Sequence, residues 1–304
     1  VEDFGLKPGQ RVLVRSANNP AMVAVWLAVT KAGGVAVNTM PMLRALELSA
    51  IVDIAEVGLA LCDTRLMDEL VACAKDSRFL KKVVGFDGTA NHDAELDRLA
   101  LEKPVHFDAV QTGRDDVALL GFTSGTTGDP KGVMHSFNTT LYAVEVIISE
   151  MFVTENDVHL IWLPVGLNWG YLTLMQTIMT GSRAILMERF QAARALELIE
   201  KHRVSFIPTA PASLLSILSL PDFKKYDCSS LRVVVTGGAS AAIETIRAYQ
   251  KHMSGHLLEL YGMLETGFHT FTRFDDDPEK VNGTIGRIVG QMKLRIIDEE
   301  GNDV

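Results

Sequence analysis

The sequence predicts an α/β protein built on mostly parallel sheets, and three observations lead there. Short runs rich in Val, Leu and Ile alternate with longer stretches of helical spacing along most of the chain, the pattern of parallel strands joined by helices. The alternation runs in two rounds, before and after a glycine- and hydroxyl-rich loop at residues 121–133, which predicts two β–α subdomains packed around a cleft. The 304 residues, 47% hydrophobic and 22% charged, are enough to bury a substantial core in each round.

Taken in order, a strand is predicted over 11–15, then a helix that starts at Pro20, is capped by Asn19 and is ended by Gly33 and Gly34, with Val23, Leu27 and Ala28 on one face. Strand 35–37, helix 44–56, strand 59–62, helix 65–75 and strand 83–86 follow. Residues 88–116, with Asn91, His92, Asp93, Asp97, Pro104, Asp115 and Asp116, read as a polar connection. Beyond the loop, Ser136 caps a helix carrying Leu141, Val144, Ile148 and Met151. The second round is strand 158–163, helix 171–179, strand 183–187, helix 192–202, strand 205–207, helix 211–218, strand 231–235, helix 241–252 and strand 257–260. A tail with Gly283, Gly286 and Gly290, a strand over 293–297 and a turn at 298–301 reads as the start of a small β-rich subdomain. The domain organisation expected is 1–115, 116–282 and 283–304.

A net charge of −9 argues against a nucleic-acid partner, because a phosphate backbone needs a basic face. A nucleotide needs only local positive charge, which one lysine, backbone dipoles and a magnesium ion supply. Cys62, Cys73 and Cys228 form no C-x-x-C pair, so neither a disulfide framework nor a zinc site is expected, and the setting reads as reducing and cytoplasmic. The longest apolar run, 21–29, is nine residues, too short for a membrane span. The chain opens at Val1 without a methionine, which suggests a fragment.

Loop 121–133 reads GFTSGTTGDPKGV. Its glycines let consecutive N–H groups turn onto an anion, and Thr123, Ser124, Thr126, Thr127 and Lys131 complete a phosphate cradle. It is not the P-loop of nucleoside triphosphatases, whose lysine is followed at once by Ser or Thr at a helix start. Here Pro130 precedes Lys131, and Gly132, Val133 and Met134 follow, so the loop is expected to join two strands.

The run FTSGTTGDPKGV resembles the phosphate-loop signature of the adenylate-forming superfamily of acyl- and aryl-CoA ligases, luciferases and peptide-synthetase adenylation domains. The segment ELYGMLETG, 259–267, resembles the Tyr-Gly-x-Thr-Glu motif of the same superfamily. The resemblance covers nearly the whole chain from about Leu6. It implies nucleotide binding by Thr123, Ser124, Gly125, Thr126, Thr127, Gly128 and Lys131 of the loop, and by Gly238, Ala239, Glu259, Tyr261, Gly262 and Met263 beyond it. Tyr261 would stack on adenine, Glu259 would reach its exocyclic amine, and Glu265 would hold Mg²⁺ between ATP phosphates. Lys131, Thr126 and Glu265 are the implied catalytic groups. Leu264 departs from the pattern, since it stands where the family has a threonine that donates to the α-phosphate.

The segment WLPVGLNWGYL, 162–172, aligns with the family stretch that gates the acid tunnel, which implies Asn168, Trp169, Gly237 and Gly267 as the acid-binding residues. Leu167 stands where related ligases place histidine, and His135, a lone histidine after the loop, reads more as structural than as a phosphate ligand. The implied activity is that of an AMP-forming acid:CoA ligase with ATP, Mg²⁺, coenzyme A and a small carboxylic acid. Its alternatives are an adenylation domain loading a carrier protein and a catalytically impaired nucleotide-binding module. The family's ribose-binding aspartate and C-terminal lid lysine fall beyond Val304, so residues 1–304 are expected to bind without turning over, the lid domain being absent. Trp169 favours a cyclic or aromatic acid.

Overall fold

A computed structural model of the chain describes residues 1–89, 91, 93–123, 130–277, 283–290 and 292–304. The first round of elements is β1 (Arg11–Arg15), α1 (Pro20–Lys31), β2 (Val35–Thr39), α2 (Ala45–Ala55), β3 (Leu59–Asp63), α3 (Met67–Asp76), β4 (Lys82–Phe86), α4 (Glu95–Leu101), β5 (Val117–Thr123) and β6 (Lys131–Ser136). The second is α5 (Phe137–Glu150), β7 (Val158–Ile161), α6 (Asn168–Thr180), β8 (Arg183–Leu186), α7 (Ala192–His202), β9 (Phe206–Thr209), α8 (Pro211–Leu218), β10 (Val233–Gly237), α9 (Ile243–His252), β11 (His256–Met263), β12 (Gly267–Phe271) and β13 (Arg287–Ile288).

Among the described residues these make a six-stranded sheet in the order β4-β3-β1-β2-β5-β6 and a seven-stranded sheet in the order β13-β12-β11-β10-β9-β7-β8. β1, β2, β3, β4 and β5 pair in parallel, and β6 returns antiparallel at the edge. In the second sheet β7, β9, β10 and β11 run parallel, while β12 and β13 add antiparallel. The predicted α/β class with two mostly parallel sheets is therefore the observed one. The chain divides into two compact units, one of Val1–Tyr142, Ile161–Met175 and Ala184–Phe190, the other of Ala143–Leu160, Gln176–Arg183 and Gln191–Val304.

In the first unit, β3 lies wholly in the interior and β1 does so after Arg11, which is why they read as largely apolar runs. Leu13, Val37, Ala60 and Cys62 of the sheet pack with Leu48, Ile51 and Val52 of α2 and Leu70 and Cys73 of α3. Each fully buried leucine there contributes about 1.5–3 kcal/mol relative to exposure. Asn19 caps α1 as expected, its Oδ1 accepting from the Met22 amide at 2.8 Å, but the buried face is Met22, Val25, Trp26 and Val29 rather than Val23, Leu27 and Ala28, of which Leu27 and Ala28 are exposed. The loop joins two strands, as its composition predicts, and the hairpin it closes pairs into the first sheet through β2 and β5.

Several local expectations are corrected. The polar connection contains α4, a seven-residue helix with no fully buried side chain and therefore too weak a periodicity to read. Helix 65–75 starts with a 3₁₀ turn, Thr64–Leu66, because the Asp63 carboxylate accepts from the Arg65 amide at 3.1 Å and tightens the entry. On α5, capped by Ser136 through the Thr139 amide, Val144 is buried as expected but Leu141 is exposed and Met151 lies beyond the helix. Strand β12 was not anticipated, because its antiparallel return follows a short turn inside the Tyr-Gly motif. Of the predicted strand 293–297, only an isolated bridge between Ile297 and Asp303 forms, closed by the turn in which the Gly301 amide donates to the Asp298 carbonyl at 3.1 Å.

The second unit is held at the start of β7 by Asp157, which is 5% exposed. Its carboxylate accepts from Arg232 Nη2 at 2.8 Å, Ser205 Oγ at 2.6 Å and the Thr154 amide at 2.9 Å, while Arg232 also donates to the Met151 carbonyl at 2.8 Å. Burial opposes the charge on Asp157, but these hydrogen bonds outweigh it and hold the carboxyl below its usual pKa. A depressed carboxylate adds stability above its unfolded pKa, and that stability is lost as pH falls through the folded value. Asp157→Asn is therefore expected to lower Tm at neutral pH and to narrow the fall in Tm between about pH 5 and about pH 3, measured by thermal unfolding of both proteins across that range.

Candidate functional site

The first unit contributes the loop hairpin. Thr123 and Lys131 end β5 and β6 as a cross-strand pair, Thr123 half-buried and Lys131 exposed. Lys131 makes no ion pair among the described residues. Ser124, Gly125, Thr126, Thr127 and Gly128, the core of the predicted cradle, lie outside the described residues. His135 is buried on β6 opposite Leu119.

The same unit carries the predicted acid-binding segment. Asn168 and Trp169 are the first two residues of α6 and are half-buried, whereas Leu167 is exposed. Tyr171, on the next turn, meets Trp26 of α1 edge to face at 4.8 Å and anchors the helix. Trp162 is buried, with its ring 5.1 Å from that of Phe190. These two rings, with Asn18, Met40 and Pro164, line a cavity of about 530 Å³. At its rim Arg65 bridges two carboxylates, Asp63 at 2.6 Å and Glu188 at 2.7 Å.

In the second unit the parallel register of β10 and β11 gathers the remaining predicted residues at the strand ends. Thr236 stands opposite Glu259 and Gly237 opposite Leu260. Gly237 is buried, and Gly238 follows with φ +77°, a conformation glycine adopts without strain, while an added Cβ would meet nothing within 4 Å. Ala239 is exposed beside it. The β11–β12 hairpin then turns through Met263, Leu264, Glu265 and Thr266, with a bulge between Tyr261 and Gly262. Gly262 packs so closely that a Cβ would lie 2.5 Å from the Gly267 carbonyl. Glu265 is exposed at the turn, Leu264 half-buried, and Gly267 buried at the start of β12.

One face of this sheet end is polar and buried. Period-two alternation places Glu259 and Tyr261 on the same face, Thr236 is the register partner of Glu259, and Thr270 that of Tyr261. Glu259 Oε1 and the hydroxyls of Thr236 and Thr270 are buried with no hydrogen-bond partner among the described residues. The Tyr261 ring is 42% exposed and lies 5.5 Å from that of His269, which hydrogen-bonds the Thr266 hydroxyl. Burial pushes the Glu259 carboxyl up to about 7. Thr236, Thr266, His269 and Thr270 were missed in the sequence. No periodic pattern signals them: Thr236 lies on β10, Thr266 in the turn, and His269 and Thr270 are adjacent on β12, so only the strand register brings them to the site.

A magnesium site has to be tested against these donors. Among the described residues no three His, Cys, Asp or Glu side chains cluster as a metal cage. Glu265, a single exposed carboxylate, nevertheless fits Mg²⁺, which takes one or two carboxylates and completes its shell with phosphate oxygens and water.

The fold is that of the N-terminal domain of adenylate-forming enzymes. The AMP-binding enzyme family matches residues 1–304, and the chain belongs to it. A propanoyl:CoA ligase of Mycobacterium tuberculosis, whose acid carries a 7a-methyl-1,5-dioxo-octahydro-indenyl group, is 31% identical over 307 residues, 97% of this chain and 60% of its own length. The 4-coumarate–CoA ligase CCL1 of Humulus lupulus is 26% identical over 99% of this chain and 57% of its own. The crystal structure of the anthranilate CoA ligase AuaEII with anthranoyl-AMP covers all of this chain with 59% of its own, at TM-score 0.92 and 20% identity, a likeness of fold. The chain spans 38% to 60% of the length of the curated relatives it matches. No helix among the described residues is long and apolar enough to cross a membrane.

Because the Glu259 carboxyl titrates near 7 when folded and near 4.3 when unfolded, at about its ordinary value, its burial favours folding at low pH and costs stability as pH rises through about 7. Glu259→Gln is accordingly expected to gain in Tm relative to the parent protein between about pH 5 and about pH 8, and a pH-independent difference between the two melting curves overturns the assignment of that carboxyl.

Proposed function

We propose that this chain is the substrate-binding part of an AMP-forming acid:CoA ligase. The observation that carries the reading is the buried polar face at the ends of β10 and β11, where oxygens of Glu259, Thr236 and Thr270 that have no partner among the described residues adjoin the half-exposed Tyr261. Such a face suits a purine, stacked on the tyrosine and met at its exocyclic amine by Glu259. Gly238 and Ala239 leave the approach beside it open. The family match and the CoA-ligase relatives support the same reading.

In this proposal the substrate carboxylate attacks the α-phosphorus of ATP, an acyl–O–P bond forms, and the bridging O–P bond breaks with its electrons leaving on pyrophosphate. The thiolate of coenzyme A then attacks the acyl carbon, and AMP departs with the acyl C–O pair. Lys131 and the loop hydroxyls Thr123, Ser124, Thr126 and Thr127, with the amides of Gly125 and Gly128, hold the phosphates and meet the charge that develops on the α-phosphoryl oxygens. Gly262 and Met263 continue the nucleotide side. Mg²⁺, held by Glu265, would supply charge neutralisation between phosphate oxygens. Asn168, Trp169, Gly237 and Gly267 receive the acid, Trp169 offering a flat apolar wall suited to a cyclic or aromatic substrate. ATP, coenzyme A and a small carboxylic acid are the partners proposed, in a cytoplasmic setting.

Lys131→Ala in the full natural chain is expected to lower acid-dependent ATP–pyrophosphate exchange by about 10²–10³ with the fold unchanged by circular dichroism. Exchange equal to that of the parent protein would falsify the phosphate role. Trp169→Ala is expected to reorder the preference among aliphatic, alicyclic and aromatic acids, and an unaltered ranking of kcat/KM across such a panel removes Trp169 from the acid site.

A further inference from the structure

Asn18 lies between the end of β1 and the cap of α1 and is 4% exposed, yet its amide serves a segment about 145 residues away in sequence. Its Nδ2 donates to the Leu163 carbonyl at 2.9 Å and, more weakly, to that of Ile161 at 3.4 Å, and its Oδ1 accepts from the Val165 amide at 2.8 Å. One donor to residue 163 and one acceptor from residue 165 reproduce what a neighbouring parallel strand would offer around Pro164, which has no N–H of its own. β7 has already ended at Ile161, so the asparagine side chain continues the ladder for the loop that follows.

That loop leads directly into α6. Gly166 passes so close to β2 that a Cβ would lie 2.7 Å from the Thr39 carbonyl oxygen. The Pro164 carbonyl then accepts from the Leu167 amide at 2.9 Å, and Gly170 packs against the same carbonyl, where a Cβ would come within 2.3 Å. Asn168 and Trp169 stand between these two contacts. Their placement follows from where Pro164 sits, and Pro164 is held on both sides by Asn18.

We infer that Asn18 is a positioning residue for the acid: it sets the register of residues 163–170 and thereby where Asn168 and Trp169 meet the substrate. The inference rests on the acid-ligase reading above. No other natural side chain of this length supplies both bonds, since aspartate keeps the acceptor but turns a charge towards the carbonyls of Leu163 and Ile161. Alanine leaves a buried amide and a buried carbonyl unpaired, so the segment shifts to find other partners.

The test uses the full natural chain in acid-dependent ATP–pyrophosphate exchange, first with hexanoate, cyclohexanecarboxylate, benzoate and 4-hydroxycinnamate. Exchange with none of them, by the unaltered protein, sinks the ligase reading and this inference with it. With the best acid of the four, Asn18→Ala is expected to raise KM for the acid by about tenfold or more while KM for ATP stays within about twofold. Asn19→Ala is the control, because its neighbour is equally buried and caps α1 but makes no bond to residues 163–170. It is expected to lower Tm comparably and to leave the acid KM within about twofold. Gly166→Ala pushes the same segment from its other side, is expected to give the same acid-selective rise, and decides the matter if Asn18→Ala does not fold. A parallel rise in both KM values in the folded variant, or an acid KM raised as much by Asn19→Ala as by Asn18→Ala, overturns the inference.

Discussion

The first unit depends on one constraint, that the backbone leaving the carboxyl ends of buried parallel strands must find hydrogen bonds without water. Arg15 at the end of β1 and the residues just after it meet it for three neighbouring loops at once. Arg15, 1% exposed, donates to the carbonyls of Met40, Pro41 and Leu43 at 2.7–2.9 Å and more distantly to that of Leu66. Ser16 and Asn19 reach Asp63, whose carboxylate also receives Arg65, and Asn18 holds the loop beyond β7. With no carboxylate in direct ion-pair contact among the described residues, the buried guanidinium is satisfied by the four carbonyl dipoles that converge on it, with the Glu69 charge nearby. Loss of Arg15 or Asn18 leaves several backbone groups unpaired, so this short stretch influences the structure far more than its length suggests.

The second unit solves the opposite problem. At the ends of β10 and β11 polar atoms are buried with no partner among the described residues, and burial pushes the carboxyl of Glu259 up to about 7. Stability alone would not keep a carboxyl oxygen and two hydroxyls buried together without partners among the described residues, in a sheet that could have carried valine. Their presence beside an exposed tyrosine is consistent with a surface completed by a ligand. Asp157, by contrast, is fully matched by Arg232, Ser205 and a backbone amide, and belongs to the framework.

Much of this was legible in the sequence. The strands β1, β3 and β4 and the helices α1, α7 and α8 fall where apolar runs, caps and proline-led starts predict them, because those signals are local. The Tyr-Gly segment of β11 was likewise found as a motif, although nothing local showed that register would set Thr236 against Glu259. Each miss has its own cause. α4 lacks a buried stripe, β12 follows a turn hidden inside a motif, and 293–297 has strand composition but no neighbour to pair with among the described residues.

By itself the sequence determined the α/β class, the order of most elements, the joining of two strands by the loop and the family, since alternation, caps and a dense motif depend only on near neighbours in the chain. Tertiary structure alone decided which polar side chains are structural and which stay unmatched. Asn18 and Asn19 are adjacent and chemically identical, yet one caps its own helix and the other completes a ladder 145 residues away. That difference arises from distant strands brought within hydrogen-bond reach, where burial removes water as the alternative partner.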